Sequence, residues 1–552
     1  MRKMASKHEK RGMSMRLTRR WVTASMAASM TLTVLAGCST ANEANPAKAK
    51  DTKESGVNAT GFPIVKEPIT IQMMGAKHPL HAEWNDMLIF KEYGKMTNVK
   101  VVFEATPEAG YKEKRNVRLA SGDYPEAFYR AMLTPADEVN YGSQGILIPL
   151  NDLIDKYAPN FKAILEKHPD VKKSIIAPDG NIYSLPQLNE QVAPRISRKL
   201  WINKKWLDKL GLPVPTTVDE YYKTLKAFKE NDMNGNGKND EIPWTGDKSF
   251  DLIPGLRGSW GLGTTGYRKN VYVDEDANGK LRFFATDPKY KEMLQYLAVL
   301  FKEGLMDREV FAQEVPQFNA KLTQGLVGSF HASNVNQAGS ALMNDYVPVP
   351  ALKGPHGDHM YTYVVPFTQN QGAFAITNKN KHPEATMRWI DYFYSEEGSK
   401  FLRMGVEGIT YEKLPNGDIE YKDDIRNNPK LSLDQAAGQF STWPGGNVPQ
   451  MVLQKFDKTG NTFPSSLEAA KLLGPDTPEK IWPSFLFTKE EQDKLNSLES
   501  DIVTFVEEQQ LKFITGAQSF DAWDQYVNSI NKMGVKDLLN IYGAAIERYK
   551  KN

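Results

Sequence analysis

An α/β fold is what this 552-residue sequence predicts, and three observations predict it. Residues 69–74 (ITIQMM) form a short apolar run, residues 85–98 have helical patterning, and residues 99–104 form a second apolar run; strand, helix, strand implies a parallel βαβ unit. Asp179-Gly180-Asn181-Ile182-Tyr183 couples turn chemistry to a strand, and Gly145-Ile146-Leu147-Ile148-Pro149-Leu150 leads into a helix, so the α/β pattern continues to about residue 188. From Arg198 onward the pattern becomes helix-rich.

After a charged preface, Arg16, Arg19 and Arg20 are followed by the mostly small and apolar residues 21–35 and then Leu35-Ala36-Gly37-Cys38. Small residues beside a cut are what a signal peptidase requires. The apolar run is about 15 residues, short of the roughly 20 that span a bilayer. Cys38 is the only cysteine of the chain. The pattern predicts residues 1–37 as a signal peptide and Cys38 as a lipidation site, against the alternative of a lone core cysteine. Two or three acyl chains there anchor a protein to the outer face of the cell membrane.

Removing residues 1–37 takes away eight basic residues and one acidic, leaving 61 Lys and Arg against 66 Asp and Glu. A mildly acidic mature chain gives no basic face for phosphates, so no nucleic-acid partner is expected. With one cysteine there are no internal disulfides. Residues 39–61 are Ala, Asn, Lys, Glu and Thr with hardly a large apolar side chain, and residues 38–63 are expected to be a flexible tether.

The next helix, residues 111–120, stops at Ser121-Gly122-Asp123, and Ala127-Phe128-Tyr129 begins a third strand. Ligands of such sheets bind outside the strand carboxyl ends. Thr217-Val218-Asp219-Glu220 is a capping box for a helix with Tyr221, Leu225 and Phe228 on one face. Near the C-terminus Leu495, Leu498, Ile502 and Phe505, then Trp523, Tyr526 and Ile530, recur at helical spacing and read as packing faces.

Coordination chemistry is concentrated in residues 232–241 (DMNGNGKNDE). Calcium takes six to eight hard oxygens, and an EF-hand loop supplies them from alternate positions with glycine at the sixth. Asp232, Asn234, Asn236, the Lys238 carbonyl and Asp240 fall at positions 1, 3, 5, 7 and 9, with Gly237 at 6. Position 12 is Pro243, so Glu241 is expected to supply the last carboxylate. The reading is a shortened loop for structural Ca²⁺, against the alternative of a solvated Asn/Gly turn. The pairs His78/His81 and His356/His359 lack a third ligand and read as surface histidines rather than zinc sites. No G-x-S-x-G, P-loop or dinucleotide fingerprint is present, and nothing marks an enzyme.

The lipobox and tether, together with Leu119-Ala120-Ser121-Gly122-Asp123-Tyr124-Pro125, Asp179-Gly180-Asn181-Ile182-Tyr183-Ser184-Leu185-Pro186 and Trp206-Leu207-Asp208-Lys209-Leu210-Gly211-Leu212-Pro213, resemble extracellular solute-binding protein family 1. Asn378-Lys379-Asn380-Lys381-His382-Pro383-Glu384-Ala385 and Tyr394-Ser395-Glu396-Glu397-Gly398 extend the resemblance, which covers residues 64–550. The similar branch is the large lipoproteins that accompany carbohydrate ABC importers in Gram-positive bacteria. Its alginate-binding members carry a similar loop with a structural calcium, which implies the same ligand set here: Asp232, Asn234, Asn236, Lys238, Asp240 and Glu241.

The resemblance implies a two-lobed periplasmic-binding-protein-like (type II) fold, with a hinge, an interlobe ligand cleft and a helix-rich second lobe. Lobe one is expected at 64–187 plus 348–395 and lobe two at 188–347 plus 396–552. The implied role is a monomeric receptor delivering a carbohydrate, an oligosaccharide above all, to an ABC permease. A lipid-anchored polysaccharide-degrading enzyme and a solute sensor are the alternatives. Sugar sites combine aromatic faces with polar side chains, which makes Trp84, Trp260, Phe330, Trp443 and Asp123 the ligand-binding candidates, with ordinary packing the competing role for each.

Overall fold

Side-chain alternation in the first strand explains the architecture of the N-terminal half. In β1 (Ile69–Lys77) Ile71 and Met73 are buried on one face of a sheet, and Met74 and Ala76 on the other. A strand apolar on both sides must be covered on both sides. The computed structural model describes residues 56–247, 255–267 and 271–552. Cys38, the signal peptide and the first part of the tether lie outside the described residues, among which no helix is long and apolar enough to cross a membrane.

The remaining strands are β2 (Val99–Pro107), β3 (Ala127–Leu133), β4 (Leu185–Asn189), β5 (Lys199–Asn203), β6 (Ile242–Thr245), β7 (Val273–Glu275), β8 (Leu281–Phe283), β9 (Val327–Ala332), β10 (Tyr346–Pro348), β11 (Thr368–Ile376), β12 (Tyr411–Lys413), β13 (Ile419–Tyr421) and β14 (Met451–Val452). Six form one sheet in the order β14-β4-β11-β3-β1-β2, and four form a second in the order β10-β5-β9-β6. β1 pairs parallel with β2 and β3, as the strand-helix-strand pattern predicts, and β11 runs antiparallel between β3 and β4. The remaining strands make two short hairpins, β7-β8 and β12-β13.

The expected helices are present. The Tyr111–Ser121 helix ends at Gly122, whose φ of 76° is the left-handed conformation that stops a helix. The Val218–Lys229 helix is capped by Thr217, whose side chain accepts from Glu220 N, and buries Tyr221, Leu225 and Phe228. The 27-residue Lys489–Thr515 helix buries Leu495 and Ile502 and packs Leu498 and Phe505 against the same core, while Trp523, Tyr526 and Ile530 pack from the next helix.

Each sheet has its own principal core. One contains Ile71, Met73, Trp84 and Tyr129 under the six-stranded sheet; the other contains Ile202, Trp244, Leu297 and Ile502 beside the four-stranded sheet. The division along the chain differs from the expected 396–552 for lobe two. Leu402, Met404, Tyr411, Tyr421, Phe440 and Phe456 pack in the core of the six-stranded sheet, because β14 joins that sheet as its edge strand. Conversely, Val349 and Leu352, expected with lobe one, pack beside the four-stranded sheet, where Val349 N donates to Leu200 O at 2.9 Å.

Two connections between the halves run side by side. Asn189 N donates to Phe367 O, Val365 N to Arg195 O and Ser197 N to Tyr363 O, each at 3.0 Å. A third connection passes Asp457, which accepts from Gln191 Nε2 at 2.6 Å and pairs with Arg403 at 2.8 Å.

Residues 56–63 are fastened rather than loose, unlike the expected tether. Arg388 donates to Ala59 O at 2.9 Å and Gly61 O at 2.6 Å, Val57 bridges Val65, and Phe62 packs edge-on to Tyr93 and Tyr392. The aromatic Phe62 gives this otherwise polar stretch an apolar contact that its composition concealed.

Candidate ligand-binding site

All parallel strands of the six-stranded sheet end at one edge, and β11, running the other way, begins there. His78, Glu108, Thr134 and Asn189 stand at the ends of β1, β2, β3 and β4, and Thr368, Gln369 and Asn370 at the head of β11. Backbone strain gathers at the same edge. Among the described residues six that are not glycine have positive φ; Asn98 caps a helix, Arg198 precedes β5 of the other sheet, and Arg130 and Met132 in β3, Asn370 at the head of β11 and Asn447 before β14 belong to this sheet. Such conformations cost of order 1–3 kcal/mol each and cluster where a binding site over-determines them.

Arg130 is fully buried and acts as a clasp. Its Nε donates to Gly446 O at 2.8 Å, Nη2 to Gly445 O at 3.3 Å and Nη1 to Ala76 O, while Glu108 Oε2 stands 3.7 Å from Nη2. His81 Nε2 donates to Pro444 O at 2.8 Å and its Nδ1 accepts from Trp84 Nε1 at 3.2 Å, so the ring carries its proton on Nε2. Burial, with Arg130 next, lowers the His81 pKa to about 3. His81 is thus a buried, neutral strut, not the surface histidine the sequence suggests. His356 and His359 are at the surface beside Glu292 and Asp476.

On the other face of this edge lies a cavity of about 1,180 Å³, bounded by Thr134–Asp137 after β3, by Val365–Asn370, by Tyr267 and by the Lys489–Thr515 helix. Arg115, fully buried, fixes the first wall: it donates to Ala131 O at 2.9 Å, Met132 O at 2.7 Å and Asp137 Oδ2 at 2.7 Å. Asp137 also closes a capping box with Thr134. Tyr267 stacks on Tyr363 with centroids 4.0 Å apart and planes 18° from parallel. The helix presents Gln492, Asn496, Glu499, Ser500, Thr504 and Glu507 to the cavity. Amides and hydroxyls both donate and accept, the pairing that a sugar hydroxyl requires.

The five ligand-binding candidates from the sequence are not brought together. Trp84 is fully buried, edge-on to Phe103 at 5.3 Å and to Tyr129 at 5.6 Å. Phe330 is fully buried in β9 between Phe318 and Tyr346. Trp260 packs on Tyr296 at 5.4 Å; its loop approaches Met360 so closely that a Cβ on Gly258 would lie 1.6 Å from the Met360 carbonyl, and the tryptophan turns inward. Asp123 is exposed beside Arg118 and precedes β3, which puts it at the amino end of that strand. Trp443 alone stands in the clasped loop at the strand-end edge, 6% exposed, with the Arg403 guanidinium 4.1 Å above its ring.

Sequence reasoning passed over Gln187, Tyr267, Asn370 and the polar stripe Gln492, Asn496, Ser500 and Thr504. The four-residue spacing of that stripe beside Leu495, Leu498 and Ile502 was its legible signal.

The 232–241 loop lies between the Val218–Lys229 helix and β6 and turns its side chains inward. Asp232 accepts from Gly235 N at 2.7 Å and Gly237 N at 2.9 Å, and the Asn234 and Asn236 amides both donate to Asp240. Those two amides hold the Asp240 carboxyl below its ordinary range. Glu241 Oε1 accepts from Met233 N at 2.7 Å, and Oε2 is buried with no hydrogen-bond partner. Among the described residues no three His, Cys, Asp or Glu side chains form a metal-ligating group. The donors here mix carboxylates with amides, and the orphaned Glu241 oxygen fits a hard cation.

A model of the bacterial extracellular solute-binding protein family matches residues 79–400. The fructooligosaccharide ABC transporter substrate-binding protein FusA of Streptococcus pneumoniae is 30% identical, over 94% of this chain and 97% of FusA. The chain belongs to the bacterial extracellular solute-binding proteins. A solved FusA complex with kestose superposes with a TM-score of 0.72 at 28% identity, covering 88% of this chain and 100% of the solved FusA chain. FusA has also been solved as an EF-hand mutant with fructo-nystose. A human-milk-oligosaccharide-binding protein associated with an ABC transporter of Bifidobacterium longum infantis shares the fold, with a TM-score of 0.75 at 22% identity over 88% of this chain and 99% of that one. The mixed α/β, two-lobed type II architecture of this solute-binding family is thus that of the chain, and its members act extracellularly.

Proposed function

We propose that this chain is a lipid-anchored receptor that captures an oligosaccharide at the strand-end edge and delivers it to an ABC permease without chemically altering it. The observation that carries this reading is the cavity of about 1,180 Å³, walled by the amides and hydroxyls of the Lys489–Thr515 helix and by Tyr267. FusA, named for fructooligosaccharides and solved with kestose, supports the ligand class. The proposed lobes are the two sheets with their cores, joined by the three crossing connections and closing over the ligand by hinge motion.

Anchoring is proposed at Cys38, with residues 1–37 removed, and a monomer is the proposed working unit. The proposed cofactor is one structural Ca²⁺ held by Asp232, Asn234, Asn236, the Lys238 carbonyl, Asp240 and Glu241; the FusA EF-hand mutant supports a comparable loop in that relative. Its role would be to pin the loop between the Val218–Lys229 helix and β6.

A thermal-shift screen over mono- and oligosaccharides, with chromatography of the incubated sugars, tests the function. A rise in melting temperature with the sugar recovered intact is the expected result. Recovery of shorter products would favour a degrading enzyme, and a response to peptides or amino acids alone would remove the carbohydrate reading. Mass spectrometry of membrane-extracted protein would find acyl chains on Cys38 and none on the Cys38→Ser variant.

A further inference from the structure

A second pocket, of about 300 Å³, shares no residue with the cavity described above. Tyr392, Phe401 and Tyr411 give it aromatic walls, and Glu92, Glu397 and Glu407 line it with them. The local sequence builds this arrangement. Ser395 caps the Glu396–Met404 helix, its side chain accepting from Gly398 N, and a Cβ on Gly398 would lie 1.8 Å from Tyr392 O. Only glycine permits that approach, which sets Glu397, in the first turn of the helix, beside Tyr392. At the far end Gly405, with a φ of 83°, turns the chain, and Thr410 fixes its return: Oγ1 donates to Met404 O at 2.6 Å and accepts from Val406 N at 2.7 Å. The return brings Glu407 and Tyr411 to the same pocket, where the Tyr411 hydroxyl donates to Glu407 Oε2 at 3.5 Å.

The rings are fixed by packing. Tyr392 stacks on Tyr93 with centroids 5.2 Å apart, and Phe401 leans on Tyr392 at 6.2 Å. Burial, then Glu397, pushes the Tyr392 hydroxyl up to about 12, and burial with Glu407 raises that of Tyr411, so both stay neutral phenols. The charge of the lining is negative, three carboxylates against the single ammonium of Lys400. Glu92 is bonded by Lys95 at 2.7 Å, whereas Glu397 and Glu407 are exposed and make no ion pair among the described residues. Phe401, Gly405 and Val406 also present the carboxyl end of the helix to the pocket, the end that favours a cation.

We infer that this pocket is a binding site for a small methylated ammonium cation, held on the faces of Tyr392, Phe401 and Tyr411 and neutralised by Glu397 and Glu407. Aromatic faces carry negative electrostatic potential and attract a cation, a quaternary ammonium above all. Such a group donates no hydrogen bond, and ring faces ask for none, whereas a primary ammonium brings three donors that the rings leave unmet. The pocket stands at the lower end of the roughly 300–1,000 Å³ of small-molecule sites, which suits a compact cation. The surplus of carboxylates repels a zwitterion whose anion sits close to its ammonium, so the favoured ligand is a free cation and not a phosphocholine headgroup. The site is separate from the sugar cavity and stands independently of the carbohydrate reading.

The test is a saturation-transfer NMR titration of the full chain with three probes: choline, its neutral isostere in which a tert-butyl group replaces the trimethylammonium, and phosphocholine. The proteins are wild type and the double variant Glu397→Gln/Glu407→Gln, both positions being exposed. Choline is expected to bind wild type about tenfold more tightly than either other probe, and the double variant to lose about tenfold of that affinity. Circular dichroism establishes that the variant is folded. Absence of choline binding, equal or tighter binding of the neutral isostere or of phosphocholine, or a double variant that binds choline as wild type does would each overturn the site.

Discussion

Asn370, held at a φ of 45°, donates its side-chain amide to Gln187 at 3.3 Å across the head of two antiparallel strands. A left-handed conformation at a residue with a Cβ costs about 1–2 kcal/mol, less for asparagine, and glycine removes that cost. Asn370→Gly is therefore expected to keep unfolding stability within about 1 kcal/mol of wild type while weakening ligand binding. Urea denaturation and calorimetry read the two effects separately; unchanged affinity would remove Asn370 from the site.

The aromatics divide by environment. Trp84→Ala and Trp260→Ala should each cost about 3–5 kcal/mol, the ordinary range for emptying a buried tryptophan position. Tyr267→Ala loses a stack on Tyr363, about 1 kcal/mol, and its main effect is expected on affinity. Denaturant midpoints against ligand titrations check both halves of the statement, and a Trp260→Ala protein of normal stability would contradict the packing described.

These two cases mark what the sequence makes legible. The βαβ start, the Gly122 stop, the Thr217 cap and the apolar stripe of Leu495 and Ile502 are local patterns, and local patterns decide local structure. Aromatics flanked by glycine read as loop-exposed, yet Gly258 lets two backbones approach and so buries Trp260. Whether a residue lies at the carboxyl or amino end of a strand is also non-local: Asp123 precedes β3 at the amino edge of the sheet, and Asn370 stands at the carboxyl edge because β11 enters it in reverse. The packing of residues 402–456 under the six-stranded sheet likewise depends on a two-residue pairing, β14 with β4, that no periodicity announces.

Metal removal should destabilise the folded chain. A ligand bound only by the native state stabilises it by about 2.7 kcal/mol at one hundred times its dissociation constant, so EDTA is expected to lower the melting temperature and added Ca²⁺ to restore it. Glu241→Gln should reduce that response, since the orphaned oxygen belongs to this side chain. A melting curve indifferent to EDTA and Ca²⁺ alike would argue against calcium in the 232–241 loop.

Glu138 supplies a pH prediction. Burial raises its pKa from 4.5 to about 8, opposed by the 2.6 Å hydrogen bond from Ser184. The folded state therefore keeps a proton that the unfolded state releases, and between pH 4.5 and about 8 this group's contribution to stability falls as pH rises. The slope approaches about 1.4 kcal/mol per pH unit for a group fully protonated in one state and ionised in the other. Glu138→Gln should abolish that fall, so the variant gains on wild type as pH increases from 5 to 8. Urea denaturation of both proteins across this interval measures the difference, and parallel curves would contradict it.

Arg388 grips the carbonyls of Ala59 and Gly61, and Val57 bridges Val65, all on the outer side of the six-stranded sheet's core. A pull arriving along the amino-terminal chain is therefore received by that half first, through several hydrogen bonds in parallel and not through a single covalent bend. Were the chain anchored at Cys38 as proposed, the clipped half would act as the stator and the four-stranded half as the rotor that swings over the ligand.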